Sequence, residues 1–414
     1  MRNSGFFWVI TGIMFLLDLY VFQVVKALMY DASPKMRLIV TIVYWTLSVA
    51  GIGLLLLLPY LNHENWPKSL RTYVFAIMVG LFFSKLIASV FFAVDDLRRG
   101  GSWLFSRISG SSATDASASG GITRSAFLSW LGLGVGSTLF GTLVYGFSNK
   151  YSYQLKKQKL VYKNLPSSFK GLKIVQISDI HSGSFTDKTA VQAGVTKIMN
   201  QKPDLILFTG DLVNDRASEM KDYMEVFSQL KAPLGVFSIL GNHDYGDYVH
   251  WENSGIKTAN LERLKEVHAE LGWRLLMNEH VPLERNGEQI ALLGIENWSS
   301  KGNFPKYGKM EQAYSGTEKY PFKILMSHDP SHWEAEVQKK YGDIDLMLSG
   351  HTHGMQFGLE IPGFKWSPVQ YMYKQWAGLY EQGDQKLYVN RGFGFIGYPG
   401  RVGILPEITL LELM

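Results

Sequence analysis

The run "LMLSGHTHG" places two histidines, His351 and His353, between glycines directly after an apolar stretch of strand length. Four other apolar runs end in a similar way. "LKIVQISDIH" closes on Asp179 and His181, "DLILFTGDLVND" on Asp211, "LGVFSILGNHDY" on Asn242, His243 and Asp244, and "FKILMSHDP" on His328. Carboxylates, imidazoles and an amide, with no thiolate, make a mixed oxygen and nitrogen donor set suited to Mn, Fe, Zn or similar divalent ions rather than to soft metals. There are enough donors for two ions that share one carboxylate. An isolated His-x-His or Gly-Asn-His is more often a surface loop or a satisfied core histidine. Five such fragments, using five of the chain's ten histidines, rarely arise by chance. The other five, His63, His250, His268, His280 and His332, fall outside these patterns and read as structural or solvated.

The elements that must position these residues are the runs themselves. After residue 150 short apolar runs alternate with helical patterns, the sign of an α/β unit. Five strands would deliver their polar tips to one rim, the place where open α/β sheets bind ligands. Asp179 and His181, like His351 and His353, are two residues apart, and on extended chain such residues point the same way. The glycines let the backbone turn sharply and pack close beneath a site.

These motifs resemble those of the calcineurin-like metallophosphoesterase superfamily, in the order Asp179-Ile-His181, Gly210-Asp211-Leu-Val-Asn214, Gly241-Asn242-His243-Asp244, His328 and Gly350-His351-Thr-His353. The resemblance covers roughly residues 155 to 414. The ending "LYVNRGFGFIGYPGRVGILPEITLLEL" and a four-helix anchor are similar to the bacterial membrane-associated branch. The resemblance implies an α/β fold of two β-sheets packed as a sandwich flanked by helices. It implies two divalent metal ions, one held by Asp179, His181, Asp211 and His353, the other by Asp211, Asn242, His328 and His351, with Asp211 bridging. The implied reaction is hydrolysis of a phosphomonoester, phosphodiester or pyrophosphate by a metal-bound hydroxide. His243, grouped with Asp244 and Asn214 as catalytic, would neutralise the phosphoryl group or give a proton to the departing oxygen. The family's second motif usually ends in an aspartate that orients this histidine; here Asn214 stands there, with Asp215 next to it. An amide accepts a hydrogen bond but cannot stabilise an imidazolium as a carboxylate does. Met355, after the last motif, would narrow the site or give it an apolar wall.

The first 149 residues are of another kind. Four apolar segments, near 5–29, 38–61, 72–94 and 126–147, each meet the roughly 20-residue length of a bilayer-crossing helix, and none shows the polar face that a helix of a soluble bundle would need. Three further segments behind the first, itself too long for a signal-peptide core, argue against cleavage. Between the third and fourth helices "GSSATDASASGG" reads as flexible, within a Ser/Gly-rich loop near 100–122. The expected organisation is a four-helix transmembrane region at 1–149 and a metallophosphoesterase domain at 150–414.

Residues 1–149 carry 11 Lys/Arg against 6 Asp/Glu, whereas the rest carries 30 of each, so the net charge of +5 belongs to the membrane part. A neutral domain argues against a nucleic-acid partner, which calls for a basic patch. The absence of cysteine excludes disulfides and thiolate sites.

Flanking charge sets the expected orientation. With the amino terminus outside, the inner loops hold Lys35, Arg37, Arg98, Arg99, Arg107 and Arg124, against Arg2, Lys68 and Arg71 on the other side. The positive-inside rule then places the domain outside the cytoplasm, as expected of an integral protein of a bacterial inner or plasma membrane. "TRSAFLSWLGLG" agrees in resembling a twin-arginine export signal with Ser125 in place of the second arginine. Asp18 and Lys85 lie at matching depth in the first and third spans, so mutual neutralisation is expected, a lipid-headgroup site being the alternative. The functional expectation is a membrane-anchored, two-metal phosphoesterase acting on a phosphate ester, with a lipid-linked or surface phosphate favoured because the anchor confines the site. The alternatives are an inner-leaflet pyrophosphatase acting on a nucleotide-linked lipid, and a receptor or scaffold that only binds.

Overall fold

The computed structural model describes residues 4–57, 60, 66–109, 123–302, 304 and 306–414. It divides into two compact units, Met1–Tyr145 and Gly146–Met414.

The first unit consists of α1 (Ser4–Leu28), α2 (Pro34–Leu57), α3 (Lys68–Ser109) and the length of α4 (Arg124–Gly146) up to Tyr145. All four helices are long and apolar enough to cross a membrane. Leu16, Val49, Phe75 and Trp130 stand exposed on them, as lipid-facing side chains do, because a helix satisfies its own backbone groups without water. One expectation is corrected. α3 continues well past the predicted end of the third span, through residues 100–109, which the sequence assigned to the flexible loop. Ion pairs one turn apart, Arg98 to Asp95 at 2.8 Å and Arg99 to Asp96 at 4.0 Å, support the turn just before Gly100 and Gly101 and offset part of their weak helix propensity. The remainder of that loop and His63 lie outside the described residues.

Asp18 and Lys85 do pair. The Lys85 ammonium meets Asp18 Oδ1 and donates to Ser48 Oγ at 2.9 Å, while the Tyr44 hydroxyl donates to the Asp18 carbonyl at 2.8 Å. One neutralised cluster thereby ties α1, α2 and α3 together where an unpaired charge would be costly. At Gly136 of α4 a Cβ would lie 2.7 Å from the Ser84 carbonyl of α3, so a small residue there lets the two backbones approach.

In the second unit two six-stranded sheets face each other. The first runs in the order β1 (Gln154–Leu160), β14 (Glu407–Leu413), β2 (Lys173–Ile177), β3 (Leu205–Phe208), β4 (Val236–Ser238), β5 (Arg274–Leu275). The second runs β12 (Gly378–Gln382), β13 (Gln385–Val389), β9 (Leu346–Ser349), β8 (Lys323–Met326), β7 (Glu288–Gly294), β6 (Glu279–Arg285). A separate hairpin joins β10 (Leu359–Ile361) to β11 (Phe364–Trp366). Strands β2 to β5 pair in parallel, as do β7, β8, β9 and β13.

Between the sheets Ile174, Leu205, Leu207 and Phe237 pack against Leu292, Ile324, Met326, Leu346 and Leu348. The outer face of the first sheet, with Val175, Ile206 and Phe208, is covered by α5 (Lys188–Met199), α6 (Met224–Phe227) and α7 (Ser254–Glu270) through Val195, Ile198, Phe227 and Leu264. On the second sheet Leu293, Leu325 and Met347 are covered by Trp333 and Val337. The central strands β3, β8 and β9 are therefore buried throughout. That double burial is why they read as continuous apolar runs instead of alternating ones. Each fully buried aliphatic side chain in them contributes about 1.5–3 kcal/mol relative to exposure. The result is the expected α/β sandwich flanked by helices.

Candidate metal centre

The five polar tips converge, three from the first sheet (β2, β3, β4) and two from the second (β8, β9). Their local geometry corrects one expectation. Asp179 and His181 are not on extended chain, and neither are His351 and His353. All four have left-handed backbone, with φ of 53°, 48°, 70° and 49°, and Asp211 has φ 62°. Such a conformation is uncommon for residues other than glycine, costs of order 1–3 kcal/mol in sparsely populated regions, and clusters at functional sites. The chain therefore reverses tightly after β2, β3 and β9.

Tight hydrogen bonds hold those reversals. Asp179 and His181 donate their N–H groups to the Gly210 and Asp211 carbonyls at 2.9 and 3.1 Å, and the His351 N–H reaches both Asp179 carboxylate oxygens at 3.0 and 3.1 Å. Gly241 and Gly350 are required by close approach. A Cβ at Gly241 would overlap Asp211 Oδ1, and one at Gly350 would overlap Ser178 Oγ and Asp179 Oδ2.

Two donor clusters result, Asp179 with His181 and His353, and Asp211 with His328 and His351; within each, the donor atoms lie within 4.8 Å of one another. His353 Nε2 is 3.3 Å from Asp179 Oδ1. Asp211 Oδ2 lies 3.1 Å from His328 Nε2 and 3.6 Å from His181 Nε2, so one oxygen faces a histidine of each cluster. Asn242 Oδ1 sits 2.8 Å from His351 Nδ1 and adds a neutral donor beside the second cluster.

The donor chemistry fits divalent cations. Among the described residues, the buried Nε2 atoms of His181 and His353 have no hydrogen-bond partner, an arrangement that native structures rarely leave unexplained. Burial lowers His181 to about 3, and lowers His351 and His353 too; these imidazoles are therefore neutral at pH 7, the form that binds a metal. His328 behaves differently. Burial opposes its charge, but the Asp211 carboxylate raises it to about 10, and a cation bound by the same two groups would release that proton. The outer ring nitrogens are held as well: His328 Nδ1 by the Thr209 carbonyl at 2.7 Å, and His351 Nε2 by Tyr373 at 2.9 Å with Asp329 3.4 Å away. Such partners orient metal-binding imidazoles.

The three residues grouped as catalytic separate in the structure. His243 is at the site: its N–H donates to Asp211 Oδ1 at 2.8 Å and its ring lies 4.9 Å from that of His181. The Asn214 side chain does not support it. That amide bonds Ser184 Oγ at 3.1 Å, and it is the backbone carbonyl of Asn214 that meets His243 Nδ1 at 2.8 Å. Asp244 faces away from the donors. Its buried carboxylate accepts from the N–H groups of Asp211, Leu212, Val213 and Gly241 at 2.9, 2.8, 3.3 and 2.8 Å. It fastens the turn after β3 to the turn after β4.

Three neighbours were not singled out from sequence. Asp329 follows His328 in "SHDP" and could have been found by its adjacency. Tyr373 carries no such signal. Arg401, fully buried, donates to the His353 and Arg391 carbonyls at 3.1 and 2.8 Å, with only the glycine-rich ending to suggest a close-packed loop. Of the histidines set aside, His268 is buried beside Trp273 and pushed down to about 3 by burial, His332 lies between Ser327 at 3.1 Å and Glu336 at 3.3 Å, His280 meets the Ala313 carbonyl at 2.9 Å, and His250 is exposed. Met355 is half exposed with φ 55°.

Comparison with known proteins gives two family matches. Residues 172–355 match the calcineurin-like phosphoesterases, and residues 1–150 match a family described as a probable calcineurin-like phosphoesterase, transmembrane domain. A metallophosphoesterase of Bacillus subtilis, YkuE, is 32% identical over 253 residues, 60% of this chain and 81% of that protein. A transmembrane protein with metallophosphoesterase domain from Danio rerio is 32% identical over 259 residues, 61% of this chain but only 55% of its own length. The phosphodiesterase YaeI of Escherichia coli is 28% identical over 244 residues, 58% of this chain and 82% of that one.

Proposed function

Because this chain belongs to the calcineurin-like phosphoesterases and is a membrane-associated, metal-dependent phosphoester hydrolase, we propose that it uses two divalent ions to cleave a phosphate ester presented at a lipid surface. Asp179, His181, Asp211 and His353 would hold one ion, and Asp211, Asn242, His328 and His351 the other. The observation that carries this reading is Asp211 Oδ2, set between a histidine of each cluster at 3.1 and 3.6 Å. When bound, such ions polarise a phosphoryl oxygen and make a bound water more acidic.

The protein's own groups do the rest. Asp244 fixes the turn that carries Asp211, and Asn242 places its carbonyl beside the second cluster. Water adds to phosphorus and releases a proton to solvent, the bond from phosphorus to the ester oxygen breaks, and the imidazolium form of His243 supplies a proton from Nε2 to that oxygen, to be recharged from solvent. The Asn214 carbonyl accepts from Nδ1–H at 2.8 Å, so in the doubly protonated ring Nε2–H is the one left to donate. A complete donor set argues for an enzyme over a scaffold, since a retired site normally loses ligands.

The substrate reading rests on the four membrane helices, which keep the site near a bilayer, and is tested with the full-length protein. Supplied with Mn, Fe or Zn, it should hydrolyse lipid phosphates in vesicles faster than soluble monoesters, diesters or pyrophosphates. A preference for soluble esters under every metal would refute the lipid assignment.

The positive-inside count supports a domain outside the cytoplasm of a bacterial inner or plasma membrane. Protease added outside spheroplasts should then digest residues after 150 while a cytoplasmic control survives. Protection until the membrane is broken would favour an inner-leaflet pyrophosphatase acting on a nucleotide-linked lipid.

A further inference from the structure

Among the described residues of the second unit, eleven large hydrophobic side chains are exposed, and six of them fall between residues 355 and 372: Met355, Leu359, Ile361, Phe364, Tyr371 and Met372. Three belong to the β10–β11 hairpin. Its register opposes Leu359 to Trp366 and Ile361 to Phe364, with Glu360 opposite Lys365. Alternation along a strand therefore puts the four apolar residues on one face and the charged pair on the other.

The hairpin is mounted inside out. Glu360 accepts from Lys156 at 3.2 Å and from Arg391 at 2.9 Å, and Lys365 donates to the Ala377 carbonyl and to the Tyr380 hydroxyl. The polar face is thus pinned to the body of the unit, while Leu359, Ile361 and Phe364 stand about half exposed. An antiparallel hairpin packed on a soluble domain normally does the reverse. The tip, Ile361-Pro362-Gly363-Phe364, turns through Gly363 at φ 79°, which suits a type II turn with proline before glycine. It presents apolar groups where turns usually carry polar ones. Tyr371 extends the patch, and Met372 stands exposed next to Tyr373, which reaches His351 at 2.9 Å.

We propose that this face, formed by Leu359, Ile361, Phe364, Trp366, Tyr371 and Met372, is a membrane-interface surface that seats in the headgroup region of the bilayer beside the metal centre. Two observations select a lipid surface as the occupant. The polypeptide enters this unit directly from four bilayer-crossing helices, so a lipid surface is always present, whereas a protein partner would have to be recruited. The patch also combines aliphatic side chains with Trp and Tyr, whose amphipathic rings favour the interface, and apolar faces of this kind bury about 5–10 Å into the boundary between headgroups and acyl chains. The immersion does not depend on which ester the site cleaves.

The chain has no cysteine, so single probes can be placed cleanly. Full-length protein carrying Ile361→Cys or the exposed control Glu318→Cys is labelled with an environment-sensitive fluorophore. It is then reconstituted in phosphatidylcholine and phosphatidylglycerol vesicles containing nitroxide-labelled lipid. The probe at 361 should be quenched by the lipid nitroxide several-fold more than the probe at 318, and less by aqueous iodide. A Met372→Cys probe should show the same quenching, and lose it when Ile361→Asp and Phe364→Asp are added. Equal iodide access at 361 and 318 would overturn the proposal. So would a probe at 361 shielded from both quenchers, or cross-linked to a second copy, since the occupant would then be protein.

Discussion

Asp211→Asn should abolish turnover and the thermal response to metal together. The carboxylate is buried, faces a histidine of each cluster with Oδ2, and accepts the His243 N–H with Oδ1. An amide at this position keeps the shape but removes the charge that two cations would share, and it turns one oxygen into a donor aimed at neighbouring donors. Metal stabilisation of phosphoryl transfer amounts to several kcal/mol, and each 1.36 kcal/mol is tenfold, so a loss of about 10³-fold or more is expected. Bound metal also stabilises the folded state by mass action. Wild-type protein should accordingly melt at a higher temperature as Mn, Fe or Zn is titrated, while the variant should stay near its metal-free value. His250→Ala, at an exposed position, is the control and should behave like wild type in both assays. A metal-replete, active Asp211→Asn enzyme would refute the two-cluster site.

The candidate site was legible in sequence because its residues stand a few positions after the ends of apolar runs. A strand buried on both faces is largely apolar, so β3, β8 and β9 announce their ends by the first polar residues, Thr209, Ser327 and Ser349, and the candidate donors Asp211, His328 and His351 stand one or two residues further on. The path from strand to donor was not legible. Alternation on extended chain seemed to explain the spacing of Asp179 with His181, yet both adopt left-handed backbone, which a side-chain pattern does not encode. The same limit applies to Asp244 and Asn214. Motif membership gave them catalytic standing, whereas hydrogen bonds formed only on folding turn the Asp244 carboxylate onto backbone amides and the Asn214 amide onto Ser184. In the membrane unit the spans were plain from hydropathy, but α3 runs on to Ser109, through Gly100, Gly101 and polar residues that a search for apolar windows passes over. The inverted hairpin was hidden for a related reason: "LEIPGFKW" alternates like any half-buried strand pair, and only its mounting through Glu360 and Lys365 reveals that the apolar face points outward.

His243→Ala should separate substrates by their leaving groups. A general acid is typically worth about 10²–10⁴ in rate, and it is needed only where the departing oxygen would otherwise leave as a strongly basic alkoxide. An alkyl phosphate should therefore lose activity in that range, and a nitrophenyl phosphate, whose leaving group departs unprotonated, far less. Metal content should hold, because the His243 ring is not among the proposed donors. The partner on Nδ1 sharpens the expectation for a second variant. Since the Asn214 backbone carbonyl, not its side chain, meets this nitrogen at 2.8 Å, Asn214→Asp leaves the contact in place and brings no carboxylate onto the imidazole. The new charge would instead lie beside Ser184 and near Glu219, whose carboxylate already accepts the residue 214 N–H at 2.6 Å. That substitution should leave the alkyl-to-nitrophenyl ratio at its wild-type value and lower thermal stability through like-charge repulsion. Selective acceleration of alkyl substrates by Asn214→Asp would mean that the side chain swings onto His243 during turnover. Equal losses for both leaving groups in His243→Ala would assign this residue to binding the phosphoryl group, and the departing oxygen would take its proton from elsewhere.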